Sequence, residues 1–243
     1  MALTPTKKFV GVFWLWKTSP YESAHENALN GTIVSSSRKN WEESSMNKIM
    51  AYQIPFRSKE LKQQVEEFLN YYGKEKVSEH SYQVADEARK LAEKFNLSAE
   101  KAYVAGLLHD ISVVIPNEER IALQRSLNKE VLKEEEILPM ILHQKQSVFV
   151  AEELFGIRDA EILSAIECHT TLRKNASDLD KVVFIADKVK WDRDDSAPYL
   201  EELNQALTQS LDEGCRVYIR WALSDIIVLH PWLKDAMDDL ALS

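Results

Sequence analysis

The stretch SEHSYQVADEARKLAEKF, residues 78–95, decides the fold class. Val84, Ala88, Leu91, Ala92 and Phe95 recur in it at three- and four-residue spacing, the period of one helix face, with charged residues between them. Asn96 closes the segment. His80 lies one turn ahead of Val84 on the same stripe, so the predicted helix carries an ionisable ring towards a core-facing position.

The same period continues on both sides. Upstream, Leu61, Val65, Phe68 and Leu69 form a stripe that begins near Ser58 and stops at Gly73. Downstream, Ser98 is placed to cap a helix bearing Ala102, Ala105 and Leu108 before Pro116. Further helical segments are predicted over 117–127, 130–137, 145–155, 159–168 and 177–189, then over 197–211 and 213–229. The chain is therefore expected to be all-α, an irregular helical bundle. Six glycines and seven prolines in 243 residues agree with that.

Residues 1–57 read differently and are taken as an irregular amino-terminal extension, with 58–243 as the helical domain. Phe9, Phe13, Trp14 and Trp16 are bunched there, and serine, asparagine and lysine are frequent from Thr18 to Lys48. Either the natural chain starts near Met46 or Met50, what precedes being upstream read-through, or the extension packs its aromatic cluster on the domain.

A formal net charge of −9 excludes a global electrostatic footprint for duplex nucleic acid, whose phosphates it would repel. Cys168 and Cys215 form no CxxC pair, which argues for reduced thiols and against a disulfide framework or zinc ribbon. No run approaches the ~18 apolar residues of a membrane span. The short apolar run Phe9 to Trp16 lacks the small-residue cleavage site of a signal peptide. A cytoplasmic protein that does not engage membrane is expected.

Histidines and an aspartate recur on the apolar stripes. His109 follows Ala102 and Ala105, His143 ends the run Met140 to Leu142, and His169 follows Ile162, Ala165 and Ile166. Asp187 follows Leu179 and Val183. An unpaired ionised group on a buried face costs several kcal/mol, so these residues need a common partner, and a metal ion serves them all. Asp110 adjoins His109, and neighbouring helical side chains diverge by about 100°, so the two can take different positions around one centre. Imidazole and carboxylate without thiolate suit iron, manganese, cobalt or zinc. Any one of these histidines alone would read as a hydrogen-bonded core residue. His25 and His230 keep the structural or solvated reading, and Cys168 the core one.

The segments EHSYQVADEARKLAEKF from Glu79, AGLLHDIS from Ala105, LPMILHQ from Leu138, AIECHTT from Ala165 and DLDKVVFIADKVKWDR from Asp178 resemble the HD superfamily of metal-dependent phosphohydrolases. More narrowly they resemble the bacterial YqeK family of symmetrical diadenosine tetraphosphate hydrolases. The resemblance spans residues 78–193, and weakly further to 229. It implies a two-metal centre, with iron as the expected metal and manganese, cobalt or zinc as alternatives. His80, His109, Asp110 and Asp187 would hold one ion, and Asp110 would bridge to a second held by His143 and His169. Asp110 and His109 would be the catalytic pair, acting on a nucleotide phosphoanhydride; a homodimer is a further expectation.

This chain departs from that family's pattern where glycine is usual, with Gln144 after the third histidine and Leu172 after the two threonines. Lys190, Trp191, Asp192 and Arg193 stand in place of a Glu-Pro-any-Arg run. Arg173, Lys188 and Arg193 are the expected substrate-binding cations, with Lys174 and Lys190 as extras; in isolation they would read as a solvated helix face. Alternatives for the function are hydrolysis of another nucleotide (guanosine tetraphosphate, a deoxynucleotide or a cyclic nucleotide) and a non-catalytic, metal-dependent nucleotide sensor.

Overall fold

The computed structural model of the protein describes residues 48–190 and 197–242. The extension as far as residue 47, and Trp191, Asp192 and Arg193, lie outside the described residues. Residues 48–57, grouped with the extension in the sequence, bury Ile49 and Ile54 in the domain core.

Helices α1 (Leu61–Tyr71), α2 (Glu75–Lys94) and α3 (Ala99–Leu108) are followed by a 3₁₀ turn, Ile111–Val114, and by α4 (Asn117–Ser126) and α5 (Lys133–Ile137). A second 3₁₀ turn, Pro139–Ile141, leads directly into α6 (Leu142–Phe155). Then come α7 (Ala160–Glu167), α8 (Asp178–Val189), α9 (Leu200–Ala206), α10 (Leu211–Ala222) and α11 (Pro231–Asp239). No strand occurs among the described residues, so the all-α expectation holds. No described helix is long and apolar enough to cross a membrane.

The apolar stripe of residues 78–95 is the buried face of α2, with Val84, Ala85, Ala88 and Ala92 fully enclosed. Small side chains let neighbouring helices approach closely, and α2 lies against both α3 and α8. Gly106 marks the tightest point of the crossing: a Cβ there would stand 2.7 Å from Ala85 Cα. Ser98 caps α3 through Lys101 N, as its position predicts. Gly73 and Asn96, read as stops, both adopt positive φ just past a helix end.

Several boundaries differ from expectation: α1, α5 and α9 begin three residues late, at Leu61, Lys133 and Leu200, and α9 ends at Ala206 where 211 was expected. Helix α2 starts at Glu75 and α6 at Leu142, each three residues early. The segment predicted as one helix over 213–229 ends at Ala222, passes through a 3₁₀ turn at Leu223–Asp225, and continues as non-helical chain to His230. His230 then caps α11, its ring accepting from Trp232 N, with Pro231 in the first turn where its missing N–H costs nothing. A run of Ile, Ile, Val and Leu fits buried helix and extended chain alike, and here tertiary packing chose the second.

Candidate metal centre

Helix ends deliver the ionisable side chains to one place. His80 sits in the second turn of α2, His109 ends α3 and Asp110 opens the 3₁₀ turn beyond it. His143 lies in the first turn of α6, His169 just after α7, and Asp187 in the last turn of α8. His109, His143 and His169 are all but inaccessible, and Asp110 and Asp187 are buried with them.

One device orients three of the rings. Nδ1–H donates to the carbonyl three residues back: His109 to Gly106 (2.8 Å), His143 to Met140 (2.7 Å) and His169 to Ile166 (2.8 Å). That bond fixes the hydrogen on Nδ1 and leaves the Nε2 lone pair pointing inwards. The inward atoms converge on Asp110. His143 Nε2 and His169 Nε2 lie 3.2 and 3.4 Å from its Oδ1, and His109 Nε2 lies 3.4 Å from its Oδ2. Asp187 Oδ1 meets His80 Nε2 at 3.1 Å and His109 Nε2 at 3.7 Å, while its Oδ2 takes the Lys188 ammonium at 2.5 Å.

These contacts set acceptor against acceptor. His109 Nε2 and Asp110 Oδ1 are buried without a hydrogen-bond partner, an arrangement that costs about 1–3 kcal/mol per group unless something satisfies it. Ligand atoms of His80, His109 and Asp110 lie within 4.8 Å of one another, and so do those of Asp110, His143 and His169. A third such group, His109, His169 and Asp187, overlaps both. The donor set therefore fits cations with nitrogen and oxygen ligands, with Asp110 offering one oxygen to each side.

Without a cation the cluster can satisfy itself only by holding protons between its rings and carboxylates. Burial alone would raise the Asp110 carboxyl, but the neighbouring His109 imidazole and the other two rings hold it well below the usual range. Burial likewise opposes ionisation of Asp187, and Lys188, His80 and His109 overcome it. Burial pulls His109 down, but Asp110 and then Asp187 push it up to about 9. His169 goes down to about 4, chiefly through burial, with His143 and His109 adding to it.

Of the expected substrate-binding cations, the structure brings Lys188 to the cluster. Arg173 donates instead to Glu167 (2.6 Å) and to Ser164, and it lines a separate pocket with Lys181, Asp212 and Asp239. Leu172 explains the divergence: its φ of 53° turns the chain sharply after the threonines. Gln144 pins that turn, its side-chain oxygen accepting from Thr170 N and Thr171 N while its nitrogen donates to Thr171 Oγ1.

Sequence reasoning missed Arg120, the largest fully buried side chain. It donates to Gln146 Oε1 (2.7 Å), Ser112 O (3.1 Å) and Asn117 Oδ1 (3.1 Å), and Ser112 Oγ in turn donates to His143 O. The guanidinium thus braces the backbone of a candidate ligand. In NEERIALQRS it looks like any arginine on a solvated face, and no local signal marks it.

Comparison with known proteins follows the same lines. The HD domain family matches residues 77–192. A protein of Lactococcus lactis subsp. cremoris, named only as an uncharacterized protein in the pepC 5' region, is 47% identical over 59% of this chain and 74% of its own. A Bacillus subtilis protein named symmetrical bis(5'-nucleosyl)-tetraphosphatase is 31% identical over 57% of this chain and 79% of its own. The crystal structure of a Clostridium acetobutylicum protein, described as a predicted HD superfamily hydrolase involved in NAD metabolism, superposes with a TM-score of 0.67 at 29% identity. It covers 74% of this chain and 96% of that one.

Proposed function

The chain belongs to the HD-domain family of phosphohydrolases, and on that premise we propose that it cleaves diadenosine tetraphosphate symmetrically into two molecules of ADP. The observation that carries the reading is the convergence of three inward-facing Nε2 atoms on a buried carboxylate that bridges two ligand groups. Divalent ions, which an HD domain implies, supply Lewis-acid activation of water and polarisation of phosphoryl oxygens when bound.

The residues divide the work. His80, His109, Asp110 and Asp187 would hold one ion, and Asp110 with His143 and His169 would hold the other. Asp110 and His109 would be the catalytic pair, since Asp110 belongs to the ligand groups on both sides and His109 lies beside it. Lys188 keeps Asp187 ionised and turned towards the centre, and its positive charge, beside the approaching polyphosphate, favours charge developing in the transition state. Water attacks one of the two central phosphorus atoms, and the bond from it to the oxygen bridging the central pair breaks. One ADP keeps the bridging oxygen, the other gains the water oxygen, and the water hydrogens leave as protons.

The relatives named for this activity support the substrate, and the metal identity rests on ligand chemistry that iron, manganese, cobalt and zinc all suit. Protein loaded with each ion, incubated with diadenosine tetraphosphate and sampled by chromatography before completion, tests the reading. ADP as the sole nucleotide product is expected. AMP with ATP would mean the other cleavage register, and inertness towards this substrate while another nucleotide turns over would displace it.

A further inference from the structure

Beside the centre lies a pocket whose two ends differ in kind. Thr170, Thr171 and Lys188 form the end next to the ligands: Thr170 Oγ1 is 3.1 Å from His143 Nε2, and Lys188 is paired with Asp187. The rest is mainly apolar, walled by Phe184 of α8, Tyr218 and Ala222 of α10, and Ile226 and Ile227 of the segment that follows α10, with His230 also on its lining.

Two further observations bear on what fills it. Four large apolar side chains stand exposed among the described residues, and three of them, all but Tyr71, sit on segments that line the pocket. Ile227 is 56% exposed, Leu229 42% and Ile137 67%; the first lines the pocket, and the other two adjoin lining residues Val228 and Leu138. The polar side chains inside are engaged within the protein. Thr171 Oγ1 donates to Leu172 O, and His230 has one ring nitrogen on Trp232 N and the other on Glu135.

We propose that this pocket seats a nucleoside of the substrate, with its phosphates at the threonine and lysine end and its base held between apolar walls by contact area. The assignment rests on the nucleotide reading above and adds where and how the base is recognised. A site that grips a heterocycle through surface burial discriminates weakly between bases, because no buried polar group is left unpaired by the wrong one. Adenine and guanine should therefore bind alike.

Equilibrium binding to metal-loaded protein tests it, with inorganic pyrophosphate as the ligand that lacks a nucleoside. Wild-type protein is expected to bind ADP at least thirtyfold more tightly than pyrophosphate, and GDP within about tenfold of ADP, the span that apolar contact allows. Ala222→Trp, which fills the pocket, should reduce the ADP advantage to threefold or less. Because Ala222 is buried and that variant can misfold, Ile227→Gln with Leu229→Gln changes only the exposed rim and should lose tenfold. An ADP advantage retained by both variants would overturn the pocket, as would wild-type protein binding the two ligands equally. A hundredfold preference for one base would overturn recognition by contact. An ADP advantage that the variants lose supports the pocket even if diadenosine tetraphosphate survives incubation, a result that would sink only the reaction.

Discussion

His143 and His169 face each other with their Nε2 atoms 2.9 Å apart, and each has its Nδ1 hydrogen engaged by a backbone carbonyl. Two lone pairs at that distance repel unless a cation or a shared proton intervenes, so the folded chain is organised around a charge it does not itself provide. An ion present at a hundred times its dissociation constant adds about 2.7 kcal/mol to stability. For a domain of this size that is a melting midpoint ~5–10 °C higher than after treatment with a chelator. Asp110→Ala removes the bridging carboxylate, so its midpoint should no longer respond to the chelator, its metal content by mass spectrometry should collapse, and turnover should fall at least a hundredfold. Unchanged melting of the wild type on metal removal would refute the centre.

How much of this was legible beforehand depended on whether a residue's role is set by its own helix or by another. His80, His109, His169 and Asp187 could be found because each continues an apolar stripe on which an ionisable group has no other business. Arg120 could not, since its burial is decided by Ser112 and Gln146 from distant segments. Arg173, expected among the substrate-binding cations, donates to Glu167 and Ser164 in the folded chain, contacts that its place in the sequence does not announce. The helix predicted to run on to residue 229 hid the apolar segment that walls the pocket, because a run of branched side chains has no period of its own.

Gly106→Ala should harm the centre through packing. Alanine gains about 1 kcal/mol of helix propensity over glycine. The added Cβ, however, would stand 2.7 Å from Ala85 Cα and 2.9 Å from its nitrogen, and backbone cannot swing aside as a side-chain tip can. Overpacking costs about 1–3 kcal/mol, so the clash wins. Because the Gly106 carbonyl also holds His109 Nδ1, separating α2 from α3 shifts two candidate ligands at once. A tenfold or greater loss of metal affinity is expected together with a modest loss of stability in urea. Wild-type affinity with lower stability would uncouple the crossing from the centre.

Leu172→Gly sets backbone strain against burial. Leucine at φ 53° carries about 1–2 kcal/mol of left-handed strain that glycine would relieve. Its side chain is only 1% exposed, and deleting a buried leucine side chain costs about 2–5 kcal/mol. The variant is therefore expected to be less stable, by up to ~4 kcal/mol, the larger cost less the smaller gain. Urea denaturation decides it, and a more stable variant would mean that the turn, pinned by Gln144, is held at greater cost than the leucine returns.

Glu135 supplies a pH dependence remote from the centre. Its carboxylate is enclosed between Lys145 Nζ at 2.6 Å and His230 Nε2 at 3.3 Å. Burial would raise its pKa, but the His230 and Lys145 hydrogen bonds and the Leu132 N–H lower it on balance. A carboxylate depressed by folding contributes stability that is present in full above the unfolded value, near 4.3 for glutamate, and is lost as pH falls through the folded value below it. Glu135→Gln removes the charge but keeps an acceptor, so at pH 7 it should cost ~1–3 kcal/mol, the range for breaking hydrogen bonds to charged groups. In acid the wild-type carboxylate takes up its proton and loses the same advantage, so the gap between the two proteins should narrow as pH falls from 7 to 3. Urea denaturation of both at pH 7 and pH 3 measures the gap directly. A gap that persists undiminished in acid would mean that Glu135 stabilises the segment under α11 by packing, and that its charge contributes nothing.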